Sequence, residues 1–219
     1  MIAILIQSRI GSTRLPKKAL LPLGDSTMLG QVIRRCKKAC VDKVIVVSPD
    51  EEILTEAIKE DADISKFTLG ERDVLAEMYT AALTYEVDTI VRITGDCPCI
   101  SPREINQMVG FFEEESCDIM YNNTDCIGGG LDGLDIEVFS FTALRKAYLQ
   151  AEDEYDRKHV CPWMYKNLKS SRAMFCWDFD AKLSVDTKAD YEFIYDLYNE
   201  LGSDFETIEI EKFVKGIEK

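Results

Sequence analysis

The sequence holds a single histidine, His159, among 219 residues. That scarcity leaves no room for a His-based zinc centre, and nothing beside His159 marks a nucleophilic triad. Long apolar runs are missing too. None approaches the ~18 residues of a membrane-spanning helix, and no basic-then-apolar leader precedes the first apolar stretch. Positive charge is in deficit: the net charge of −14 argues against a nucleic-acid or anionic-membrane surface. Eight cysteines are present but scattered, and neither Cys97-Pro98-Cys99 nor Cys36-x-x-x-Cys40 has zinc spacing. They read as buried thiols of a reduced, cytoplasmic protein. Internal repeats, low-complexity segments and clear linkers are absent. What remains is one compact domain, 46% hydrophobic, large enough to bury roughly 70–75% of its unfolded surface without staples.

The chain is organised around its first twenty residues. Ile2-Ala3-Ile4-Leu5-Ile6 is a continuous apolar run, as expected of a strand buried on both faces. It breaks into Gln7-Ser8-Arg9-Ile10-Gly11-Ser12-Thr13-Arg14-Leu15-Pro16-Lys17-Lys18, which has no helical or alternating period. Gly and Ser allow backbone N–H groups to point into a concavity, and four fixed positive charges accompany them. That is the chemistry a polyphosphate requires. A merely solvated basic loop is the competing reading; the position directly behind a buried strand favours the phosphate. The Walker spacing is absent. Charge is also segregated: residues 1–43 carry a net +7 and the remainder −21. A small anionic ligand near the N-terminus fits that asymmetry.

Strand and helix then alternate. Helices are expected at 27–38, from about 50 to 59, at 73–83 and at 102–113, and strands at 43–47, 65–69, 89–94 and 117–121. Such alternation implies a parallel, doubly wound α/β sheet with its ligand at the carboxyl ends of the strands. After Asn122 the texture changes. Gly128-Gly129-Gly130 with Gly133 marks a lid or substrate loop, Leu134 to Phe139 is strand-like, and helices follow at 142–150 and after Asp156. Short strands are expected at 172–177 and 182–185, and Thr187 with Asp190 forms a capping box for a helix to Leu201.

Several residues stand out as chemistry. Asp96, after Gly95 and before Pro98, sits at a strand end; Asp186 lies where another strand-like stretch meets a helix. The two carboxylates suit Mg²⁺ facing a triphosphate, while a turn Asp and a helix cap are the plain alternatives. Arg92 interrupts the apolar run Ile90-Val91-Arg92-Ile93 and needs an acidic neighbour, most simply a structural ion pair. Asp135 and Glu137 share one side of a strand-like segment. Either they point together into a cleft, favouring a polyhydroxylated or amino-bearing acceptor, or they pair with a Lys or Arg of a neighbouring strand. His159 fits a structural, interfacial or acceptor-contacting role.

These stretches together resemble the sugar cytidylyltransferases. The loop 7–18, Asp73-Val74-Leu75, Val91-Arg92-Ile93-Thr94-Gly95-Asp96-Cys97-Pro98, Gly133-Leu134-Asp135-Ile136-Glu137-Val138-Phe139, Arg157-x-His159-Val160 and Val185-Asp186-Thr187 match in order over nearly the whole chain. The similarity is to the acylneuraminate and 3-deoxy-manno-octulosonate (KDO) cytidylyltransferases, and most of all to the spore-coat polysaccharide biosynthesis protein F-like group. Lys17 stands where the family usually has Gly, and Lys158 and Cys161 replace the usual Glu and Thr. The resemblance implies a Rossmann-like nucleotidyltransferase with a nucleotide-binding part at about 1–122 and an acceptor-binding and dimerisation part at about 123–185. It implies transfer of CMP from CTP to an acidic sugar or related acceptor, with release of pyrophosphate, for surface polysaccharide or glycan biosynthesis. Arg9, Gly11, Ser12, Arg14, Lys18, Asp73 and Gly95 would bind the nucleotide, and Asp96 and Asp186 would hold Mg²⁺. Asp135, Glu137 and His159 would face the acceptor, and the protein would be a homodimer. A catalytically silent binding homologue, or a nucleotidyltransferase for a phosphonate or phosphorylated acceptor, is the alternative.

Overall fold

The computed structural model describes residues 1–67, 73–122 and 132–216. The first apolar run lacks alternation because both of its faces are covered. It forms β1 (Ile2–Gln7) in the middle of a seven-stranded sheet. The hairpin β2 (Pro22–Leu23) and β3 (Ser26–Thr27) leads into α1 (Met28–Cys36), followed by β4 (Lys43–Ser48), α2 (Glu51–Lys59) and β5 (Asp63–Lys66). Next come α3 (Val74–Thr84), β6 (Thr89–Thr94), α4 (Pro102–Glu114) and β7 (Ile119–Tyr121). The remaining elements are β8 (Glu137–Ser140), α5 (Phe141–Gln150), α6 (Glu154–His159), α7 (Pro162–Asn167), β9 (Ser170–Arg172), α8 (Lys188–Leu201) and α9 (Thr207–Val214).

The sheet order is β5-β4-β1-β6-β8-β7-β9. β5, β4, β1 and β6 are mutually parallel, as the strand–helix alternation predicts. β8 runs antiparallel to both β6 and β7, and β9 returns parallel to β7. Alternate residues of β1 serve opposite cores. Ile4 and Ile6 pack with Leu29, Val32, Ile53 and Met108, while Ala3 and Leu5 pack with Leu75, Met78, Phe139 and Leu144. A third cluster joins α8 and α9 to Leu23, Leu134, Leu183 and Val185.

Four sequence-based expectations change. The third strand starts at Asp63 rather than Ser65, because pairing with β4 runs Ile45↔Asp63 to Ser48↔Lys66. The strand expected over 134–139 contracts to Glu137–Ser140, so Asp135 precedes it. The helix expected after Asp156 is two short ones, α6 and α7. The strands expected at 172–177 and 182–185 do not form. β9 ends with its three-residue partner β7, and the later N–H groups go elsewhere: Leu183 and Ser184 donate to Asp132 O, and Val185 to Asp96 O. Gly133 makes this passage possible: its φ is +105°, and a Cβ there would lie 2.3 Å from Leu183 C. The Gly128–Gly130 lid lies outside the described residues.

The cysteines Cys36, Cys97, Cys99 and Cys161 are buried free thiols, and burial pushes Cys36 and Cys99 up to about 12. Among the described residues, no helix is long and apolar enough to cross a membrane.

Arg92 has the partner its position demands. It lies directly across from Glu137 in the β6–β8 register and pairs with it. Tyr165 Oη donates to Glu137 Oε1 (2.7 Å) and Arg92 to Gln7 Oε1 (3.3 Å). Glu137 is 5% exposed, so the pair is part of the core.

A second buried charge tests the other end of the molecule. Glu104 on α4 is 2% exposed; its Oε1 accepts from Thr207, and Oε2 has no hydrogen-bond partner. Burial lifts its carboxyl from the ordinary 4.5 to about 7. Between those values the native state keeps a proton the unfolded chain has lost, so stability falls as pH rises through the window. Glu104→Gln is therefore expected to stabilise the protein at pH well above 7 by on the order of 1–3 kcal/mol, and by little below the ordinary carboxylate pKa. Urea midpoints at the two pH values check this; an equal effect at both would sink it.

Candidate active site

The carboxyl ends of β1 and β6 open into a cleft of about 480 Å³. Its floor depends on Gly95: a Cβ there would lie 2.7 Å from Ser8 Cβ and 3.1 Å from Gln7 O. The loop behind β1 is tied down at few points. Ile10 N–H donates to Asp50 (2.7 Å), Leu15 N–H to Ser12 Oγ (3.3 Å) and Ser12 N–H to Ile10 O (2.7 Å). The N–H groups of Gly11, Thr13 and Arg14 have no acceptor among the described residues, nor has the Arg9 guanidinium. These are donors left for a ligand. Lys17 closes the loop at φ +55°, the left-handed conformation that favours the family's usual glycine.

Lys18 is the centre of the site. Its Nζ donates to Asp96 Oδ2 (2.8 Å), Val185 O (2.6 Å) and Asp186 Oδ1 (3.0 Å). Burial works against the ammonium, but the two carboxylates outweigh it and raise its pKa. Asp186 also meets Arg14 at 2.9 Å and Lys182 at 3.1 Å. Its carboxyl is held below the ordinary range: burial would raise it, and hydrogen bonds from Lys18 and Lys182 override that. Asp186 is not the helix cap. Thr187 caps α8, with Asp190 completing the box through Thr187 N–H at 2.8 Å. Against burial, hydrogen bonds from Lys182 and the Asp186 and Thr187 N–H groups hold Asp190 down to about 2. The side chain of Asp186 is thereby directed to the cations.

Of the sequence-predicted residues, Arg9, Gly11, Ser12, Arg14, Lys18, Gly95, Asp96, His159 and Asp186 line the cleft. Three do not. Asp73 caps α3 through Ala76 N–H (3.0 Å) and pairs with Arg157 (2.6 Å). Glu137 is committed to Arg92 and Tyr165 behind the cleft, and Asp135 accepts from Gly133 N–H (3.3 Å). Lys158 lines the cleft as well, and Lys182 supports Asp186; neither role has a signal in the sequence. Lys182 lies four residues before Asp186, but without a regular element there that spacing carried no signal.

The donor set fits a hard divalent cation. Asp96 and Asp186 both reach one ammonium, at 2.8 and 3.0 Å, and both bring hard oxygen donors. Among the described residues no three His, Cys, Asp or Glu side chains gather as a metal cage, so phosphate oxygens and water would complete the shell.

The cytidylyltransferase family model matches residues 3–215. The chain belongs to the cytidylyltransferase family. It is 31% identical to a cytidylyltransferase from Leptospira borgpetersenii, with TM-score 0.90 over 98% of this chain and 94% of that one. It is 28% identical to the spore coat polysaccharide biosynthesis protein SpsF of Bacillus subtilis, over 92% of this chain and 88% of that one. A CMP-2-keto-3-deoxy-manno-octonic acid synthetase complexed with CTP is 16% identical and shares the fold, with TM-score 0.72 over 91% and 98% of the two chains. The doubly wound sheet with its antiparallel insertion after residue 120 is thus the nucleotidyltransferase fold, and the chain is a nucleotidyltransferase.

Proposed function

We propose that the protein transfers CMP from CTP to an acidic sugar or related acceptor and releases pyrophosphate. The observation that carries this is Lys18, held between Asp96 and Asp186 beside a loop of uncommitted donors. The CTP in the complex of the KDO-type relative supports the choice of nucleotide. In this reading Arg9, Ser12, Arg14 and Lys18 hold the triphosphate, and Gly11 and Gly95 let it approach the backbone. Asp96 and Asp186 would hold Mg²⁺, which when bound offsets phosphate charge and orients the α-phosphate. An acceptor oxygen attacks the α-phosphorus in line. The new P–O bond forms as the α–β bridge breaks, and most of the catalysis is positioning and charge neutralisation.

The acceptor wall carries Arg92, Lys158 and His159 rather than Asp135 and Glu137. Its chemistry suits an acidic acceptor and argues against the amino-bearing one that two carboxylates would favour. A cytoplasmic homodimer belongs to the same reading. Met174, 77% exposed, and the edge strand β9 offer surface for a partner within or beside the segment after residue 122. Light scattering is expected to give about twice 24.9 kDa.

The test is nucleotide turnover across the four NTPs with a panel of acidic sugars, with and without chelator. CTP-dependent pyrophosphate release that stops in EDTA is expected. Asp96→Asn and Asp186→Asn keep the side-chain shape and remove the charge, and both are expected to abolish the metal-dependent rate. Full activity in EDTA would remove the two-carboxylate metal site.

A further inference from the structure

His159 is the only imidazole in the chain, and the structure sets it at the cleft with nothing to hold it as a structural residue. Its ring lies against Tyr155, centroids 4.3 Å apart at 36°, and neither ring nitrogen has a hydrogen-bond partner among the described residues. A strained turn puts it there. Cys161 N–H donates to His159 O (2.9 Å) across Val160, whose φ of 70° and ψ of −61° form the rare hand of the γ-turn. A β-branched residue in that conformation is an outlier, kept only because its surroundings over-determine it. Val160 and Cys161 are both fully buried, so the turn drives them into the core and leaves His159 at the ligand side.

We propose that His159 is the general base of the transfer, accepting the proton of an acceptor hydroxyl as that oxygen attacks the α-phosphorus. The inference rests on the nucleotidyl-transfer reading above. The carboxylates of the cleft are poor candidates for this task, because Asp96 and Asp186 are occupied with Lys18. The charges that act most on the imidazole are cationic, Lys158 from its own helix, Arg92 from β6 and Arg9 from the loop after β1, and the neutral Tyr155 ring lies against it. Burial first, then Lys158, Arg92 and Arg9, hold its pKa below the ordinary 6.5, so at neutral pH the ring keeps a lone pair. The hydroxyl proton passes to an imidazole nitrogen, the O–P bond forms, and the bridge electrons leave with pyrophosphate. The imidazolium, set among three cations, then returns its proton to solvent. It follows that the acceptor reacts through a hydroxyl, since an oxygen already ionised would need no base.

The experiment compares wild type and His159→Gln with CTP, Mg²⁺ and acceptor between about pH 5 and 9, a range that brackets imidazole titration. Wild-type kcat is expected to rise with pH along an acid limb. His159→Gln is expected to lose roughly 10²–10⁴-fold in kcat and to lose that limb. Its CTP Kd by calorimetry and its thermal midpoint are expected to match wild type, which separates lost chemistry from lost binding or folding. Wild-type kcat in the variant, or a reduced kcat with the acid limb intact, would overturn the assignment. If wild type releases no pyrophosphate from CTP with any acceptor, the functional reading itself fails and the assignment falls with it.

Discussion

Glu137→Gln is expected to destabilise the protein by about 3–5 kcal/mol, because it leaves Arg92 charged in the core without a counter-charge. For a chain of this size that is a fall in thermal midpoint of roughly 10 °C. Arg92 faces Glu137 directly across two strands, and Tyr165 Oη completes the arrangement at 2.7 Å; with the Arg92 side chain only 12% exposed at the edge of the cleft, solvent relieves little of the loss. Replacing both charges, as in Arg92→Met with Glu137→Leu, is expected to recover most of the stability. Chemical denaturation of the two variants checks both statements. A loss under about 1 kcal/mol in the single variant would mean that the pair is not a core interaction.

Lys18→Ala is expected to lower kcat by about 10²–10³-fold, the loss seen when one preorganised donor is taken from a developing charge. Unlike a surface lysine, it also has a folding role. Its side chain is 13% exposed and bridges Asp96 and Asp186, so the variant leaves two half-buried carboxylates facing each other. The stability cost is expected to be on the order of 1–3 kcal/mol at neutral pH. Its pH dependence has a definite shape. The raised Lys18 pKa makes the bridge's contribution fully present below the ordinary 10.5 and lost as pH rises through the folded value above it. The lowered Asp186 pKa makes it present above the ordinary 3.8 and lost as pH falls through the folded value beneath it. The difference between wild type and variant should therefore persist from pH 4 to pH 10, limits set by those ordinary values, and shrink outside them. Arg9→Ala is expected to show a similar kinetic loss without the stability cost, because Arg9 has no ion-pair partner among the described residues. Equal melting of all three proteins at neutral pH would contradict the bridging role of Lys18.

The parts legible from sequence were those whose chemistry is contiguous. The loop 7–18 concentrates Gly, Ser, Arg and Lys in one stretch, and it does line the cleft. The parallel half of the sheet was legible because unbroken apolar runs alternate with helical stripes, and the Thr187–Asp190 box was legible because both partners lie within one turn. Arg92 signalled its own need for a partner, although not which acid would meet it. Failures arose where a residue's role depends on a distant element. The pairing of the Asp73 carboxylate with Arg157, 84 residues away, has no signal in the local sequence. Strand alternation places Asp135 and Glu137 on one face, but β8 starts only at Glu137 and Asp135 lies before it. The stretch 173–187 has strand-like composition, but the ladder it follows stops after three residues in both β7 and β9, and its later N–H groups bond Asp132 O and Asp96 O instead.

The span of chain that meets at Lys18 has a consequence for how the enzyme is made. Lys18 and Asp186 are 168 residues apart, and elsewhere Arg35 reaches 170 residues on to Phe205 O at 2.9 Å. A ribosome adding roughly 5–20 residues per second takes on the order of 10–40 s to complete such a chain. For most of that time the loop after β1 exists without the second acidic residue that Lys18 will meet. β1, β4 and β6 can pair early and protect one another, yet the candidate site stays incomplete until the last few dozen residues emerge. Premature termination between Arg172 and Asp186 thus yields a product that holds every strand of the sheet but leaves Lys18 to the single carboxylate of Asp96.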